Sequence, residues 1–466
     1  MIATLPYRDR TVGVLGLGRS GRVAAEALLA SGARVLAWDD DAAQRDAAKA
    51  ARIPLADLGT AEPLDWAALV MSPGIPLTHP TPHPVAARAQ RAGIEVIGDI
   101  ELLGRAGTGA GFIGITGTNG KSTTTALIHH VLRLAGQPVA VGGNLGIPAL
   151  SLPRLGSDGR YVLEMSSFQL DLTTSLAFDI AVLLNVTPDH LDRHGDMAGY
   201  IAAKKAIFRA QSTASTAVVG IDDAICRDLH AELVAQDVAR VIAISAEQPV
   251  PGGIAAIDGQ LVDALDGVAR SVLDLTKIAT LPGRHNWQNA AAAYAVCRVA
   301  GLAAETIAAG IASYPGLAHR QELVATLDGV RFVNDSKATN ADAASKALGC
   351  YDDIYWIAGG TPKAGGIVPL APWFDRIRHA FLIGDAAEAF AGTLTDRVPF
   401  TRSGTLDVAV RQAADRAVAE GRPGAVVLLS PACASYDQFA NFEARGDAFR
   451  GLTGTLQTAA AREAAR

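Results

Sequence analysis

The sequence has few of the features that mark secreted or membrane-spanning proteins. It contains only four cysteines in 466 residues (Cys226, Cys297, Cys350 and Cys433), and they are scattered without the spacing of a metal site. Gly, Thr, Asp or Arg interrupts each apolar run before it reaches transmembrane length. Residues 1–10 also lack the apolar core of a signal peptide. We therefore expect reduced thiols, no membrane insertion and a cytoplasmic location.

Positive charge is also scarce. The 41 Lys and Arg residues are outnumbered by 47 Asp and Glu residues, which leaves a formal net charge of -6. This balance disfavours a general nucleic-acid-binding protein, so local Lys and Arg side chains must neutralise any anionic ligand. The composition is that of a globular protein, with 49% hydrophobic and 19% charged residues, and the length suffices for about three domains.

The chain divides into three blocks in which short apolar runs alternate with helical segments. This pattern predicts an α/β protein with parallel sheets. A glycine-rich stretch at 104–111 is a candidate linker, and a second division falls near Ser313. We therefore predict domains at 1–107, 108–315 and 316–466. In open α/β sheets ligands bind beyond the carboxyl ends of strands, and the polar clusters described below all fall at such ends.

The segment Gly114–Thr123 is the most specific motif in the chain. A predicted buried strand ends at about Ile115, and a predicted helix starts at Ser122. A glycine-rich turn between strand and helix leaves backbone N–H groups free to bind phosphate, while Lys121 can reach terminal phosphates and the Ser122 hydroxyl can hold Mg²⁺. Ile115 stands where the common motif has Gly, so the match is to a variant, and a plain turn with an exposed lysine is the alternative. The predicted nucleoside-triphosphate-binding residues are Gly117, Thr118, Asn119, Gly120, Lys121, Ser122 and Thr123.

The second block carries further polar residues at predicted strand ends. Glu164 follows an apolar strand and could share a Mg²⁺ ion with Ser122. His190 lies in a loop with two aspartates, where it is either a ligand or a structural histidine. The pair Lys204–Lys205 lies in a predicted helix, and by composition alone it is a solvated basic pair. Asn286 and Asn289 precede or begin a helix, where they could contact a purine edge or cap the helix.

The first block opens with a glycine motif, Gly16–Gly21, directly after a strand. Asp39 follows the next strand, near the distance at which an acidic residue meets a ribose. These residues suggest a dinucleotide site and a dehydrogenase. The motif requires only a tight turn and a helix N-terminus that faces an anion, so a nucleoside-diphosphate-linked substrate fits equally well, and a turn without a ligand remains an alternative.

The third block has lysines and hydroxyls at strand ends but no nucleophile–base pair. Lys337 lies in Asn334–Asn340, Lys363 follows a glycine pair, and Ser430–Ser435 follows another strand. This combination favours anion binding over covalent catalysis. A small substrate that bears a carboxylate is the expected ligand.

Five motifs in order, spread over nearly the whole chain, resemble the Mur ligases of peptidoglycan synthesis. They are Thr116–Ser122, Glu164–Gln169, Asn185–Asp192, Pro282–Asn286 and Asn334–Asn340. The last of these, together with Ser430–Ser435 and Asp437–Phe439, is similar to the branch of the family that adds D-glutamate.

The resemblance implies three domains: an N-terminal Rossmann-like domain for the UDP substrate, a central P-loop ATPase with a parallel-rich sheet, and a C-terminal Rossmann-like domain for the amino acid. It implies that ATP phosphorylates the carboxylate of UDP-N-acetylmuramoyl-L-alanine and that the D-glutamate amine then attacks the acyl phosphate, releasing phosphate. It further implies two Mg²⁺ ions and a monomer.

The resemblance also assigns roles to individual residues. The implied catalytic residues are Lys121, Glu164, His190 and Lys204, and the implied metal ligands are Ser122, Glu164, His190 and Lys204. Lys204 matches a lysine that is carbamylated in the family, which replaces the interpretation as a solvated residue. Further ATP contacts are Asn286, Asn289, Arg320 and Asp335. The implied substrate contacts are Gly16, Asp39 and Gly74 at the UDP end, Asn144 and Ser166 at the muramoyl-alanine arm, and Lys337, Thr339, Lys363, Ser435 and Phe442 for D-glutamate.

Three other functions compete with an amide ligase. An NAD-dependent oxidoreductase would explain Gly16–Gly21 but neither the phosphate loop nor the third block. A nucleotide switch would hydrolyse ATP without an amine substrate. A sibling Mur ligase or a folylpolyglutamate synthase is disfavoured by Asp335–Thr339, because the third block selects the incoming amino acid.

Overall fold

A computed structural model describes residues 2–62, 65–363 and 365–464. Its described residues form two compact units. The first contains those up to Leu275 together with Trp287–Tyr314, and the second contains Thr276–Asn286 and those from Pro315 onward. Both units alternate strands with helices around mostly parallel sheets, which confirms the predicted α/β class. The three-domain division stays a prediction.

The first sheet of the first unit is entirely parallel, with the strand order β2-β1-β3-β4. Its strands and the helices between them are β1 (Thr11–Leu15), α1 (Arg19–Ala30), β2 (Arg34–Trp38), α2 (Ala42–Ala50), β3 (Ala68–Met71), α3 (Pro84–Arg91), β4 (Val96–Ile97) and α4 (Asp99–Arg105).

The second sheet of this unit has the strand order β13-β12-β11-β10-β9-β8-β5-β7-β6. It is parallel from β6 to β11, and β12 and β13 add an antiparallel edge. Its elements are β5 (Gly111–Thr116), α5 (Lys121–Leu134), β6 (Val139–Gly143), β7 (Arg160–Glu164), α6 (Ser167–Asp171), β8 (Ile180–Leu183), α7 (Leu191–His194), α8 (Met197–Lys205), β9 (Thr216–Gly220), α9 (Ala224–Gln236), β10 (Arg240–Ser245), β11 (Ile254–Ile257), β12 (Gln260–Asp263), β13 (Arg270–Asp274), α10 (Arg284–Val299) and α11 (Ala304–Ala312).

The sheet of the second unit has the strand order β14-β15-β19-β16-β17-β18. Only the β14–β15 pair is antiparallel among its described pairings. Its elements are β14 (Glu322–Leu327), β15 (Val330–Asn334), α12 (Ala341–Leu348), β16 (Ile354–Gly359), β17 (Ile377–Ile383), α13 (Ala387–Leu394), β18 (Phe400–Gly404), α14 (Leu406–Glu420), β19 (Val426–Leu429) and α15 (Phe442–Ala464).

The central strands are buried on both faces, which explains their continuous apolar sequences. Every residue of β8 and β19 is buried, as expected for parallel strands covered by helices. The helices bury one face each: α5 buries Leu127, Ile128 and Val131, whose spacing places them on one side. Within the described part of the chain, no helix combines the length and apolarity needed to cross a bilayer.

The parallel strands bring the polar loops of each sheet to one edge. In the first unit, the Gly16 loop and Asp39 follow β1 and β2, and the phosphate loop and Glu164 lie at the ends of β5 and β7. In the second unit, the Asp335 loop follows β15. The expectation that every polar cluster lies beyond a carboxyl strand end is confirmed for these loops, but it is wrong for Lys204, which lies in α8, and for Asn286 and Asn289, which lie in α10.

Candidate active site

The phosphate loop connects β5 to α5 and is held in shape by side chains beneath it. Asn119 and Asn185 exchange two hydrogen bonds: the Asn119 amide donates to Asn185 Oδ1 at 2.8 Å, and Asn185 Nδ2 donates to the Asn119 carbonyl at 3.1 Å. Gly120 has a φ of 86°, and a Cβ at this position would lie 2.2 Å from Asn289 Oδ1. Only glycine fits there. The loop is therefore preorganised, with α5 starting directly behind it at Lys121.

Two lysines converge on this loop. Lys121 Nζ donates to the carbonyls of Gly117 at 2.8 Å and Thr118 at 2.7 Å, and Lys204 Nζ also donates to the Gly117 carbonyl at 2.8 Å. Lys204 is 1% exposed, and its Nζ lies 4.7 Å from the centre of the Tyr200 ring. Burial, aided by the charge of Lys121, lowers the pKa of Lys204 to about 6.

The composition-based interpretation of the Lys204–Lys205 pair as solvated is therefore wrong for Lys204. It holds for Lys205, whose side chain is 37% exposed and forms an ion pair with Glu232. Adjacent residues of a helix point in directions about 100° apart, so one lysine of α8 faces the loop and the other faces solvent. Composition and helical periodicity offer no signal for which of the two is buried; only the family resemblance singled out Lys204.

Glu164 ends β7 beside β5 and is 3% exposed. Its Oε1 accepts a hydrogen bond of 2.6 Å from Asn144 Nδ2, whereas its buried Oε2 has no hydrogen-bond partner among the described residues. A buried carboxylate oxygen without a donor is costly unless a cation or water satisfies it. Ser122, also buried, lies in the first turn of α5. Both residues fit the Mg²⁺ site that the sequence predicts.

No group of three or more His, Cys, Asp or Glu side chains suited to a metal occurs in the described ranges. A Mg²⁺ ion at Glu164 would therefore need hydroxyl, phosphate or water oxygens as its other ligands, which is the coordination that Mg²⁺ prefers.

Ser166 and His190 are the N-cap residues of two short helices, α6 and α7. His190 precedes α7, has a φ of 51° and keeps 51% of its side chain exposed, so it is not a core histidine. Its ring makes an edge contact with Phe168 at 5.1 Å between centroids. Ser166 caps α6 in a reciprocal arrangement with Gln169. Asn144 is exposed apart from its contact with Glu164.

The residues predicted at the UDP end lie on neighbouring strands β1, β2 and β3. Asp39 Oδ2 accepts a hydrogen bond of 2.6 Å from the Leu17 amide, so this carboxylate anchors the glycine loop. A Cβ on Gly21 would lie 1.8 Å from the Gly16 carbonyl oxygen, which explains the third glycine of the motif by close packing of α1 on the loop. Gly74 lies exposed in the loop after β3. The structure thus brings Gly16, Asp39 and Gly74 to one sheet edge.

In the second unit, the Asp335 loop and the Ser430–Ser435 loop follow the paired strands β15 and β19. Ser430 Oγ donates to Asp335 Oδ2 at 2.8 Å, and burial raises the pKa of Asp335 to about 7. Lys337 Nζ lies 4.0 Å from the centre of the Phe442 ring. Thr339 is in the Asp335 loop, and Lys363 lies in the loop after β16, next in the sheet to β19. The predicted D-glutamate residues therefore share one edge of this sheet.

The predicted adenine contacts are divided between the units. Asn286 lies in the first turn of α10, whose residues up to Asn286 are grouped with the second unit, and it donates from Nδ2 to the Pro282 carbonyl at 2.8 Å. Asn289, in the first unit, is 2% exposed, and its Oδ1 accepts a hydrogen bond of 3.2 Å from Thr124. Arg320 belongs to the second unit, and its charge lowers the pKa of Asp335, against the larger effect of burial. Their roles as nucleotide contacts stay predictions.

Sequence reasoning missed Arg445, which joins the two loops of the second unit. It is fully buried in α15. Its guanidinium donates to the carbonyls of Ser336 (2.8 Å), Cys433 (3.1 Å) and Ala434 (3.3 Å) and to Ser336 Oγ (3.0 Å). Burial lowers its pKa to about 10, so it stays charged at neutral pH. A single arginine in a helix of charged residues carries no sequence signal for such a role.

We expect Arg445→Met to lower the free energy of unfolding by about 2–4 kcal/mol, because several buried carbonyls lose their donor. Chemical denaturation tests this. Arg402→Met is the control, since Arg402 forms only an exposed ion pair with Glu388. Equal effects of the two substitutions would contradict the proposed role of Arg445.

Comparison with curated proteins identifies the family. The chain is 58% identical over 461 residues to the UDP-N-acetylmuramoylalanine--D-glutamate ligase of Rhodospirillum rubrum, covering 98% of this chain and 97% of that protein. The chain belongs to the Mur ligase family. The protein of the same name from Paramagnetospirillum magneticum is 56% identical over 97% of this chain and 98% of its own length. The model of the Mur ligase middle domain matches residues 115–297.

Solved structures support the fold. The UDP-N-acetylmuramate-alanine ligase of Thermotoga maritima matches with a TM-score of 0.57 and 16% identity, over 97% of this chain and all of that one. Family membership confirms the resemblance seen in the five sequence motifs, and with it an ATP-dependent ligase that forms amide bonds. Mur ligases use ATP and Mg²⁺ as a family.

Proposed function

We propose that this chain adds D-glutamate to UDP-N-acetylmuramoyl-L-alanine in peptidoglycan precursor synthesis, with cleavage of ATP to ADP and phosphate. The observation that carries the proposal is the identity of 58% over nearly the full length of a relative that bears this ligase name. The buried, unpartnered Glu164 oxygen beside the phosphate loop supports it independently, because a cation site is what a phosphoryl transfer between two anions requires.

In the first step the substrate carboxylate attacks the γ-phosphorus of ATP, the bond to the β-phosphate oxygen breaks, and ADP leaves. We assign the β- and γ-phosphates to the loop amides and to Lys121, which would exchange its loop carbonyls for phosphate oxygens. Ser122 and Glu164 would hold one Mg²⁺ ion, and the ions would neutralise the charge that builds up between the reacting anions. Asn144 and Ser166 would bind the muramoyl-alanine arm.

We assign a second Mg²⁺ ion to His190 and to a carbamate on Lys204. The neutral Lys204 amine would attack CO₂, forming a C–N bond as one C–O π bond opens, and would release one proton to solvent, which turns a neutral amine into an anionic ligand. The burial of Lys204 and its position beside Lys121 support this assignment, since both disfavour the ammonium form.

In the second step the D-glutamate amine attacks the acyl carbon and phosphate leaves. We assign the D-glutamate carboxylates to Lys337, Thr339, Lys363, Ser435 and Phe442 with their backbone, and the nucleotide to Asn286, Asn289, Arg320 and Asp335. Gly16, Asp39 and Gly74 would bind the UDP moiety, which favours the nucleoside-diphosphate interpretation of the first glycine motif over a dinucleotide. We further propose that the protein acts as a monomer in the cytoplasm, in three domains with the predicted boundaries.

We expect D-glutamate to be the preferred amine substrate in a panel of amino acids. Phosphate release would be measured with ATP, Mg²⁺ and UDP-N-acetylmuramoyl-L-alanine, and the product would be identified by mass spectrometry. Equal or greater turnover with L-glutamate or another amino acid would contradict the assignment. Phosphate release without any amino acid would favour a nucleotide switch, and a change in NADH fluorescence on mixing would favour the oxidoreductase.

A further inference from the structure

The loop that carries Gly74 is tied to its surroundings on three sides. This 72–83 loop connects β3 to α3. Ser72 Oγ donates to the Gly16 carbonyl at 3.0 Å, and His83 Nε2 lies 3.0 Å from Asp40 Oδ2, so two contacts bind it to the neighbouring loops of its own sheet. The third contact reaches the other sheet of the first unit through Arg193.

Arg193 lies on α7, three residues after His190. Its guanidinium donates to the carbonyls of Pro73 at 3.0 Å and His79 at 3.5 Å, and it also donates to the carbonyl of Ile75. These carbonyls surround Gly74 in the 72–83 loop. A planar guanidinium with five donors is suited to hold several carbonyls at fixed positions, which a lysine cannot do.

The guanidinium of Arg193 also contacts Phe168, an aromatic residue next to His190 of the proposed phosphoryl-transfer site. Its guanidinium carbon lies 5.1 Å from the centre of the Phe168 ring, and Phe168 in turn contacts the His190 ring. Phe168 is in the first turn of α6, which Ser166 caps. A continuous series of contacts thus runs from the 72–83 loop through Arg193 and Phe168 to His190.

We propose that Arg193 is a positioning residue that sets the separation between the UDP-binding loop and the phosphoryl-transfer site, and so matches the protein to the length of its substrate. This inference rests on the proposed function. With the residue roles proposed above, the substrate would span both ends, with its UDP moiety near Gly74 and its carboxylate near Ser166 and His190. Each end can bind its own part of the ligand without Arg193, but only a correctly spaced pair of ends binds the whole molecule well.

The test compares ligands that occupy one end or both. Calorimetric titration would measure the Kd of UDP and of UDP-N-acetylmuramoyl-L-alanine for the full-length protein, Arg193→Met and Arg193→Lys. For Arg193→Met we expect the Kd of the whole substrate to rise about tenfold, while the Kd of UDP changes less than about twofold. The KM for the UDP substrate should rise similarly, with the KM values for ATP and D-glutamate unchanged. For Arg193→Lys, the Kd of the whole substrate should lie between that of the unaltered protein and that of Arg193→Met.

Arg209→Met is the matched control. Arg209 also donates to a backbone carbonyl of this unit, that of Thr173, at 3.1 Å, but does not contact the 72–83 loop. Three results would overturn the role of Arg193. They are an equal rise in the Kd values of UDP and of the whole substrate, no change in either Kd, and the same rise in Kd for Arg209→Met. If Arg193→Met does not fold by near-ultraviolet circular dichroism, Arg193→Lys decides by the same comparison. Failure of the unaltered protein to bind the UDP substrate would instead overturn the proposed function, and this inference with it.

Discussion

Replacement of Lys121 by alanine is expected to lower turnover by about 10²–10³-fold while the protein stays folded. The side chain extends over the phosphate loop and donates to the carbonyls of Gly117 and Thr118. In the reaction these donors would stabilise the negative charge on the transferring phosphoryl group, so their loss acts on the transition state. Phosphate release at saturating substrates measures the effect.

Arg133→Ala is the matched control for Lys121→Ala, because Arg133 is an exposed basic residue in the last turn of the same helix. It should keep the full rate. Circular dichroism and thermal unfolding would show that both variants are folded. If Lys121→Ala is folded and its rate is near that of the unaltered protein, the assignment of this loop and of Lys121 to the phosphates of ATP is contradicted.

The second large effect is expected at Lys204. We expect Lys204→Ala to lose most of its activity and to regain part of it when acetate is added. Acetate can occupy the space of the missing carbamate and supply a carboxylate to Mg²⁺. Lys204 is suited to carbamylation because it is buried, and its pKa of about 6 leaves most of the amine neutral at pH 7.5.

The neighbouring lysine provides the control for this experiment. Lys205→Ala removes a half-exposed lysine that pairs with Glu232, and it should keep its activity and show no response to acetate. The rescue should saturate with acetate concentration and should depend on Mg²⁺. Full activity of Lys204→Ala without acetate, or a bare Lys204 amine in a complex with both metal ions, would rule out the carbamate.

The local features of this protein were predictable from sequence. The phosphate loop is a contiguous run between a strand and a helix, so its backbone geometry follows from the glycines and the flanking apolar pattern. The same holds for the Gly16–Gly21 turn after β1. The placement of Glu164 at a strand end also followed, because apolar runs show where parallel strands end.

The contacts between distant segments were not predictable. Arg193 and Arg445 each bind a backbone carbonyl from a segment far away in the chain, that of Pro73 and that of Ser336, and a carbonyl group has no sequence signature. Both arginines lie in helices with other charged residues, a pattern that by itself indicates a solvated surface.

The amino-acid sequence by itself determined the α/β class, the phosphate loop and the set of motifs that place the chain among the Mur ligases. Those features depend on neighbouring residues and on the periods of strands and helices. Only the tertiary structure decided that Lys204 rather than Lys205 is buried and that one oxygen of Glu164 is left without a donor. Burial depends on which elements pack together. Two adjacent lysines come to differ in exposure and in pKa only when their helix packs against a particular loop, which buries one side chain and leaves the other in solvent.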